Sequence, residues 1–302
     1  MKNKKIILVA YLIPIISLML MVAACTQKQN AKQHYITVSI APLTWVVEGL
    51  MGQNATLQTI VPPGTSPETY EPTARQSEDL ARAELIFSVG LVDSERQIEQ
   101  RLRDGTSRGV FVRLADSLPT DKFLRSSCAT THTQADSEHH HGAVDPHVWL
   151  SPSMMREITR LVALHLIDKQ IDSAALIVAR RDSLFRVISQ VDSTIRADVE
   201  QSKSKYFAIV HPSLGYFAAE YGLTQFSIEV DGKEPSGRRI RDLVDTLRDH
   251  EVRAVIYSRQ DPSTSARVIA KEIGARVVVF DPMAKDWAAN MIKISKIVCQ
   301  TN

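Results

Sequence analysis

The sequence has no strong excess of charge of either sign. Its formal net charge is +2 over 302 residues, and Lys2, Lys4 and Lys5 are the only charged residues among the first 24. A chain that begins at residue 25 lacks those three positive charges and carries a net charge of −1. Proteins that bind nucleic acids present basic surfaces, so this composition gives no support to a nucleic-acid partner.

Two motifs of common enzyme classes are also missing. No stretch of the chain reads His-Glu-x-x-His, the helical zinc motif of metalloproteases, and no stretch has the glycine-rich pattern of a phosphate-binding loop. We therefore expect that the protein is not an enzyme.

Cysteine is scarce, with only Cys25, Cys128 and Cys299 in the chain. Cys25 follows a basic start and an apolar run from Ile6 to Ala24, which predicts an export signal. An uncleaved membrane anchor is the alternative, because the run is just long enough to span a bilayer. Both readings place the rest of the chain outside the cytoplasm. A disulfide between Cys128 and Cys299 is permitted there, but the sequence alone does not establish one.

The small residues directly before Cys25 resemble the lipobox of bacterial lipoproteins. The resemblance implies cleavage before Cys25, lipidation of its sulfur and attachment of the mature protein to a membrane. We expect residues 1–24 to be the signal peptide and residues 25–34 to be a polar tether.

Short apolar runs rich in β-branched residues alternate with helical patterns along the rest of the chain, and this alternation predicts parallel βα units. Four runs lie in each half, so we predict an α/β fold with two similar lobes, residues 35–172 and 204–302. The predicted strands are Ile36–Ala41, Thr56–Val61, Leu85–Val89, Val110–Leu114, Tyr206–Val210, Gln225–Val230, Ala254–Tyr257 and Arg276–Phe280.

A long helical pattern at residues 173–203 separates the two sets of strands. Its apolar residues recur every three or four positions without an internal Gly or Pro, and a helix of this length reaches roughly 45 Å at about 1.5 Å per residue. We predict one long, rigid helix that joins the lobes. Residues 126–143 are polar and lack such a period, which predicts a long loop.

Side chains that can bind metals follow several predicted strands, where ligands of open parallel sheets bind. His211 and Asp281 each stand at the end of a strand and before a Pro, Glu68 lies in the Pro-rich turn after the second strand, and His147 precedes a predicted helix start near Ser151. Each of these residues also has an ordinary structural explanation when taken alone. His165, on an apolar helical pattern, is expected to be a packed or surface residue, whereas His34 in the tether and His250 after a charged helix are expected to be solvated.

Five segments together resemble the zinc-binding lipoproteins of bacterial ABC metal importers, the ZnuA/TroA-like solute-binding proteins. In chain order they read VPPGTSPETYEPT, DPHVWLSP, HPSLGYFAAEYGL, IEVDGKEPSGRRI and VVVFDPMAKDW. The resemblance implies two lobes joined by a rigid helix, with the metal in the cleft between them. It also implies a monomeric extracytoplasmic receptor that is lipid-anchored in the cell envelope (periplasm) and delivers Zn²⁺ to an ABC permease.

The resemblance implies His147, His211 and Asp281 as metal ligands. The chain departs from the family at Glu68, where zinc-binding members usually have His. Our hypothesis is that the Glu68 carboxylate replaces this imidazole, since Zn²⁺ accepts carboxylate oxygen, and the alternative is that water takes the position. The negative charges of two carboxylates, together with two neutral imidazoles, balance the charge of a divalent ion. The added oxygen ligand suits Mn²⁺ better than a third imidazole would, so a manganese or iron(II) receptor stays an alternative to a zinc receptor.

The histidines of the polar loop form a second candidate group. His132, His139, His140 and His141 lie on a segment too irregular to fix a coordination geometry, so we expect at most an auxiliary site that captures zinc weakly. A polar loop without metal affinity is the alternative. Two other functions also stay open: a secreted zinc-dependent hydrolase, if Glu68 leaves a zinc position open, and an adhesin-like surface lipoprotein with the same fold.

Overall fold

Eight short strands form two four-stranded sheets in the part of the chain that the structure describes. The computed structural model describes residues 33–53, 55–103, 109–125, 144–229, 233, 235–260 and 263–300. The chain divides into a unit of residues 1–33 and a unit of residues 34–302, and the described helices and strands lie in the second unit. Every pair of neighbouring strands is parallel, as the sequence pattern predicted.

The first lobe contains the sheet with strand order β2-β1-β3-β4. Ile36 in the central strand pairs with Leu57 on one side and Leu85 on the other. Helices alternate with the strands, and the last helix of the lobe, α4, follows the segment that carries His147. The elements are β1 (His34–Val38), α1 (Ala41–Leu50), β2 (Ala55–Thr59), α2 (Ala74–Ala81), β3 (Leu85–Ser88), α3 (Asp93–Arg103), β4 (Val110–Arg113) and α4 (Pro152–Asp168).

The second lobe repeats this arrangement with the strand order β6-β5-β7-β8. Its elements are β5 (Tyr206–Ile209), α6 (Gly215–Tyr221), β6 (Thr224–Ser227), α7 (Gly237–Asp249), β7 (Ala254–Ser258), α8 (Thr264–Ile273), β8 (Arg276–Phe280) and α9 (Trp287–Gln300). The eight predicted strands are confirmed, with ends that differ by at most three residues. The three-residue differences are at the ends of β1 and β6. At β1, Ala41 starts α1 because Pro42 suits the first turn of a helix.

One helix, α5 (Ala174–Gln201), connects the two lobes and confirms the helix predicted at residues 173–203. The Ser173 hydroxyl caps it by accepting a hydrogen bond from the Leu176 amide at 3.3 Å. Its 28 residues span roughly 42 Å at about 1.5 Å per residue. The buried side of the helix has the predicted spacing, with Ile177, Leu184, Ile188, Val191, Ile195 and Val199.

The largest of three hydrophobic core clusters among the described residues extends through both lobes. Val38 of β1, Ile188 of α5 and Ile209 of β5 belong to the same cluster of buried side chains. Burial of apolar surface stabilises the folded state by about 25 cal/mol per Å², so separating the lobes would expose much of this core at high cost. The core therefore opposes large movements of one lobe against the other.

Polar contacts also join the lobes around the cleft. The Tyr216 hydroxyl on α6 donates to the Asp145 carbonyl at 2.9 Å, and the Trp149 indole donates to the Pro282 carbonyl at 2.9 Å. The Trp287 indole in turn donates to the Trp149 carbonyl at 2.7 Å. Trp149 and Trp287 are each only 1% exposed, so these bonds are shielded from water. No helix within the described ranges has the length and apolar character that a membrane span requires.

Candidate metal centre

Three side chains that can bind a metal ion come together between the two lobes. Glu68 comes from the first lobe, His147 from the segment before α4 and His211 from the second lobe, and one ligand atom of each lies within 4.8 Å of the others. The ring centroids of His147 and His211 are 5.3 Å apart, with an interplanar angle of 68°. The structure thus brings together three of the four residues that the sequence analysis selected.

The loop after β2 carries Glu68 and is shaped by its Pro-Pro-Gly sequence. The Thr65 amide donates to the Pro62 carbonyl at 3.3 Å, and Gly64 between them has φ +80°. A type II turn requires this positive φ at its third residue, which explains the glycine after Pro63. The hydroxyl of buried Ser94, in α3, donates to the Pro67 carbonyl and ties the loop to the lobe directly beside Glu68.

The segment around His147 holds its imidazole through Asp145. The Asp145 Oδ1 atom lies 2.7 Å from His147 Nδ1 and also accepts the His147 backbone N–H at 2.9 Å. Both residues are buried, with 5% and 7% exposure. Because Nδ1 donates to the carboxylate, Nε2 carries the free lone pair that a metal ion needs. The Ser151 hydroxyl then accepts the Met154 amide at 3.1 Å and caps α4, as the sequence predicted for this helix start.

His211 lies two residues after the end of β5, between two carboxylates. Its Nε2 atom is 3.4 Å from Glu68 Oε1, and its Nδ1 atom is 3.3 Å from Glu229 Oε2. Burial lowers the pKa of His211, but the carboxylates of Glu229 and Glu68 outweigh burial and raise this pKa to about 10. The hydrogen bond to His211 lowers the pKa of Glu68, and burial opposes this effect only in part.

Asp281, the fourth selected residue, is at the end of β8 but is not part of the three-residue group. Its Oδ1 atom accepts hydrogen bonds from the Gln260 side-chain amide at 2.7 Å and from the Met283 backbone amide at 2.9 Å. Its carbonyl oxygen accepts the Asn290 side-chain amide at 2.8 Å. Asp281 therefore has protein partners of its own in this structure.

Two carboxylates next to the histidines were not selected from the sequence. Asp145 belongs to the same short segment as His147, and Glu229 follows β6, the strand beside β5. An acidic residue two positions before a candidate ligand, or at the end of a neighbouring strand, is a signal that sequence reasoning could have used. Recognising Glu229 in this way requires knowing that β6 lies beside β5, and the order of strands within a sheet is not visible in the sequence.

Several predictions fall outside the described residues. The auxiliary group of His132, His139, His140 and His141 lies there, as do the lipidation site Cys25 and Cys128. Cys299 is buried in α9, and burial together with the charge of Asp198 raises its thiol pKa to about 11. This effect disfavours the reactive thiolate.

The expectations for two of the isolated histidines, His34 and His250, need correction. His34 is not a solvated tether residue, because it is the first residue of β1, is 8% exposed and has Nδ1 3.0 Å from Glu84 Oε2. His165 is partly buried, and its ring lies 6.1 Å from that of Phe87. His250 is not a solvated residue, because it is partly buried and packs against Tyr206 and Phe226 with ring centroids 4.6 and 5.0 Å away.

Residues 36–295 match the model of the family described as ZnuA, zinc-uptake complex component A periplasmic. One curated relative, the zinc-binding protein AdcA of Streptococcus pyogenes serotype M6, is 25% identical over 294 residues. The match covers 93% of this chain and 56% of AdcA, so the chain spans about half the length of that relative.

Solved structures have the same fold. A crystal structure of ZnuA superposes with a TM-score of 0.79 at 27% sequence identity, and the match covers 88% of this chain and 98% of that chain. A ZnuA deletion mutant with zinc bound superposes with a TM-score of 0.77 at 28% identity, with the same coverage of 88% and 98%.

Proposed function

The chain belongs to the ZnuA family, and from this premise we propose that it is an extracytoplasmic receptor that binds Zn²⁺ between its lobes and delivers the ion to an ABC permease. The observation that carries the proposal is the convergence of Glu68, His147 and His211 from both lobes. The zinc named in the descriptions of AdcA and of the ZnuA deletion mutant supports the choice of ion.

The spacing of the three side chains suits a zinc ion. Zinc binds imidazole nitrogen at about 2.0–2.1 Å and carboxylate oxygen at about 2.0–2.2 Å, so two ligands of a tetrahedral ion lie roughly 3.4 Å apart. The distance from His211 Nε2 to Glu68 Oε1 is already 3.4 Å. Because the ligand atoms of the full group lie within 4.8 Å of one another, they need to approach by at most about 1.4 Å to surround one ion.

We propose Asp281 as the fourth ligand, and its coordination requires a side-chain rearrangement. Either Asp281 Oδ1 would give up its hydrogen bonds from Gln260 and Met283 and bind the ion, or the carboxylate would bind the ion through its other oxygen. With Glu68 and Asp281 ionised and both imidazoles neutral, the four ligands balance the charge of a divalent ion. A site with no net charge costs less free energy to bury than one with a residual charge.

The ligand set also accounts for the alternative metals. Carboxylate oxygen is a ligand that Mn²⁺ and Fe²⁺ accept readily, whereas the general affinity order of divalent ions places both below Zn²⁺. We therefore propose that zinc is the preferred cargo and that manganese binds the same site more weakly.

A hydrolase is the less favoured function. Residues 105–109 read Gly-Thr-Ser-Arg-Gly, which has the spacing of a nucleophile elbow. Such an elbow leads from a strand into a helix, whereas this stretch lies between helix α3 and strand β4. Residues 105–108 lie outside the described residues, but the order of the flanking elements along the chain, helix before strand, is the reverse of an elbow. We propose that the protein is not an enzyme.

The proposed localisation and partners follow from the family and the N-terminal sequence. We propose that a lipid on Cys25 holds a monomeric receptor at the membrane, where the permease receives the ion. Loss of growth under zinc limitation after deletion of the gene, with restoration by added zinc, tests the transport role. Replacement of Cys25 by Ala should release the protein from the membrane fraction.

The direct test of cargo is metal analysis of protein purified without added metal, followed by competitive titration of Zn²⁺ against Mn²⁺. We expect one tightly bound zinc per chain and weaker manganese binding. Tighter binding of manganese than of zinc would replace the zinc receptor with a manganese receptor of the same fold.

A further inference from the structure

The backbone fixes Glu229 beside His211. Hydrogen bonding between β5 and β6 continues beyond the two strands, with the Ile228 amide donating to the Ile209 carbonyl at 2.9 Å and the Glu229 amide to the Val210 carbonyl at 3.1 Å. The Ser227 hydroxyl donates to the Glu229 carbonyl at 2.9 Å. Glu229 therefore stands at a defined place at the same edge of the sheet as His211.

The side chains of these two residues meet in a partly buried contact. Glu229 Oε2 lies 3.3 Å from His211 Nδ1, and the two side chains are 16% and 19% exposed. The other ring nitrogen, Nε2, points to the opposite side of the ring and lies 3.4 Å from Glu68 Oε1. The contact between Glu229 and Nδ1 thus leaves Nε2 directed at the metal group.

The same arrangement exists at the other histidine. Asp145 Oδ1 holds His147 Nδ1 at 2.7 Å, from only two residues away in the chain. Glu229 reaches His211 from 18 residues away in the chain, from the segment just after the neighbouring strand β6. Each imidazole of the metal group thus has its own carboxylate, and metal-binding histidines commonly donate their second ring N–H to such a partner.

We propose that Glu229 is a positioning residue for metal binding, which holds the His211 ring with Nε2 toward the ion and does not itself bind the ion. This inference rests on the proposed function. A carboxylate that accepts Nδ1–H lies on the side of the ring away from an ion at Nε2. Glu229 would have to release His211 in order to bind the same ion.

The test compares Glu229→Ala and Glu229→Gln with the wild-type protein and with Glu200→Gln, a control on the exposed surface of α5. Zinc affinity is measured by competition with a chelator, and X-ray absorption counts the nitrogen and oxygen ligands of the bound zinc. We expect Glu229→Ala to weaken zinc binding by about 10–100-fold, the usual effect of removing a partner of a ligating histidine. Glu229→Gln should retain most of the affinity, because its amide oxygen still accepts the Nδ1–H bond.

The outcomes separate a positioning residue from a ligand. Wild-type zinc affinity in Glu229→Ala would overturn the proposal. An equal loss of zinc affinity in Glu229→Ala and Glu229→Gln, with one oxygen ligand fewer around zinc, would also overturn it, because this result is expected if Glu229 is a ligand. Crystal structures of the metal-free variants give a second readout, because the His211 ring should change orientation in Glu229→Ala and keep it in Glu229→Gln. This readout still applies if the wild-type protein binds no zinc, a result that would contradict the proposed function alone.

Discussion

His147 and His211 come from different lobes and are 64 positions apart in the chain, yet their ring centroids lie 5.3 Å apart. Each ring has its Nδ1 atom beside a carboxylate, Asp145 for His147 and Glu229 for His211. The Nε2 atom of His211 lies beside Glu68. A ligand that binds both imidazoles must therefore occupy the space between the lobes.

The first prediction concerns Glu68. Glu68→Ala should weaken zinc binding by at least about tenfold. Removing a residue that only forms a hydrogen bond to a metal ligand already lowers metal affinity by about this factor, and Glu68 is proposed as a ligand itself. Glu68→His should keep tight zinc binding and weaken manganese binding, because imidazole replaces an oxygen ligand. Competitive titrations with both ions measure the two effects.

Glu71→Ala is the matched control, because Glu71 lies in the same loop, is exposed and forms an ion pair with Arg101 at 3.8 Å. It should bind zinc like the wild type. If Glu68→Ala also behaved like the wild type, with an unchanged set of ligands around zinc, Glu68 would have no role as a ligand.

The second prediction concerns Gly215, the first residue of α6. A Cβ atom at this position would lie 2.8 Å from Asp145 Oδ2, closer than real contacts allow. Gly215→Ala should displace the carboxylate that holds His147, lower stability by about 1–3 kcal/mol through overpacking and weaken zinc binding. Thermal unfolding and chelator competition measure these changes.

Gly237→Ala serves as the control, since a Cβ atom at Gly237 has no neighbour within 4 Å among the described residues, and Gly237 likewise starts a helix. It should leave zinc binding unchanged. Equal zinc affinity in Gly215→Ala and Gly237→Ala would show that zinc binding does not depend on the present position of the Asp145 carboxylate.

The third prediction is the pH dependence of zinc binding. The pKa of His211 is raised to about 10 in the metal-free protein, so this imidazole is protonated at neutral pH and zinc must displace its proton. Affinity should therefore rise with pH by about tenfold per unit between pH 7 and pH 9, above the range in which an ordinary histidine titrates. Calorimetry in buffers with different ionisation enthalpies counts the released protons. An affinity that is constant over this range would contradict the prediction.

The fourth prediction is that zinc binding changes the overall dimensions of the protein only slightly. The continuous core and the buried bonds of Trp149 and Trp287 join the lobes without zinc. We expect small-angle scattering curves with and without zinc to coincide at low angle. A clear decrease in the radius of gyration on zinc binding would show hinge closure instead.

The sequence predicted the fold well because the relevant signals are local. Each strand is a short apolar run, and the period of the buried residues from Ile177 to Val199 defines the connecting helix. Glu68, His147 and His211 could be selected because each lies at a strand end or a helix start, and the chain brings those places to one cleft. The similar order of the two sheets adds a structural repeat that the sequence does not display.

Other features depend on contacts between distant residues and were not predictable. The orientation of Asp281 depends on Gln260, 21 positions away, and the role of Glu229 depends on the pairing of β6 with β5. His34 looks like part of a polar tether until Glu84 is known to lie beside it. In each case, the sequence shows the residue type but not its neighbour.

A crystal structure of the zinc-loaded protein, with anomalous scattering measured at the zinc edge, tests the metal centre most directly. We predict one ion in the cleft, bound by Nε2 of His147, Nε2 of His211 and a Glu68 oxygen, with bonds of about 2.0–2.2 Å. A zinc ion bound elsewhere, with these three side chains in their present positions and no ion between them, would contradict this prediction.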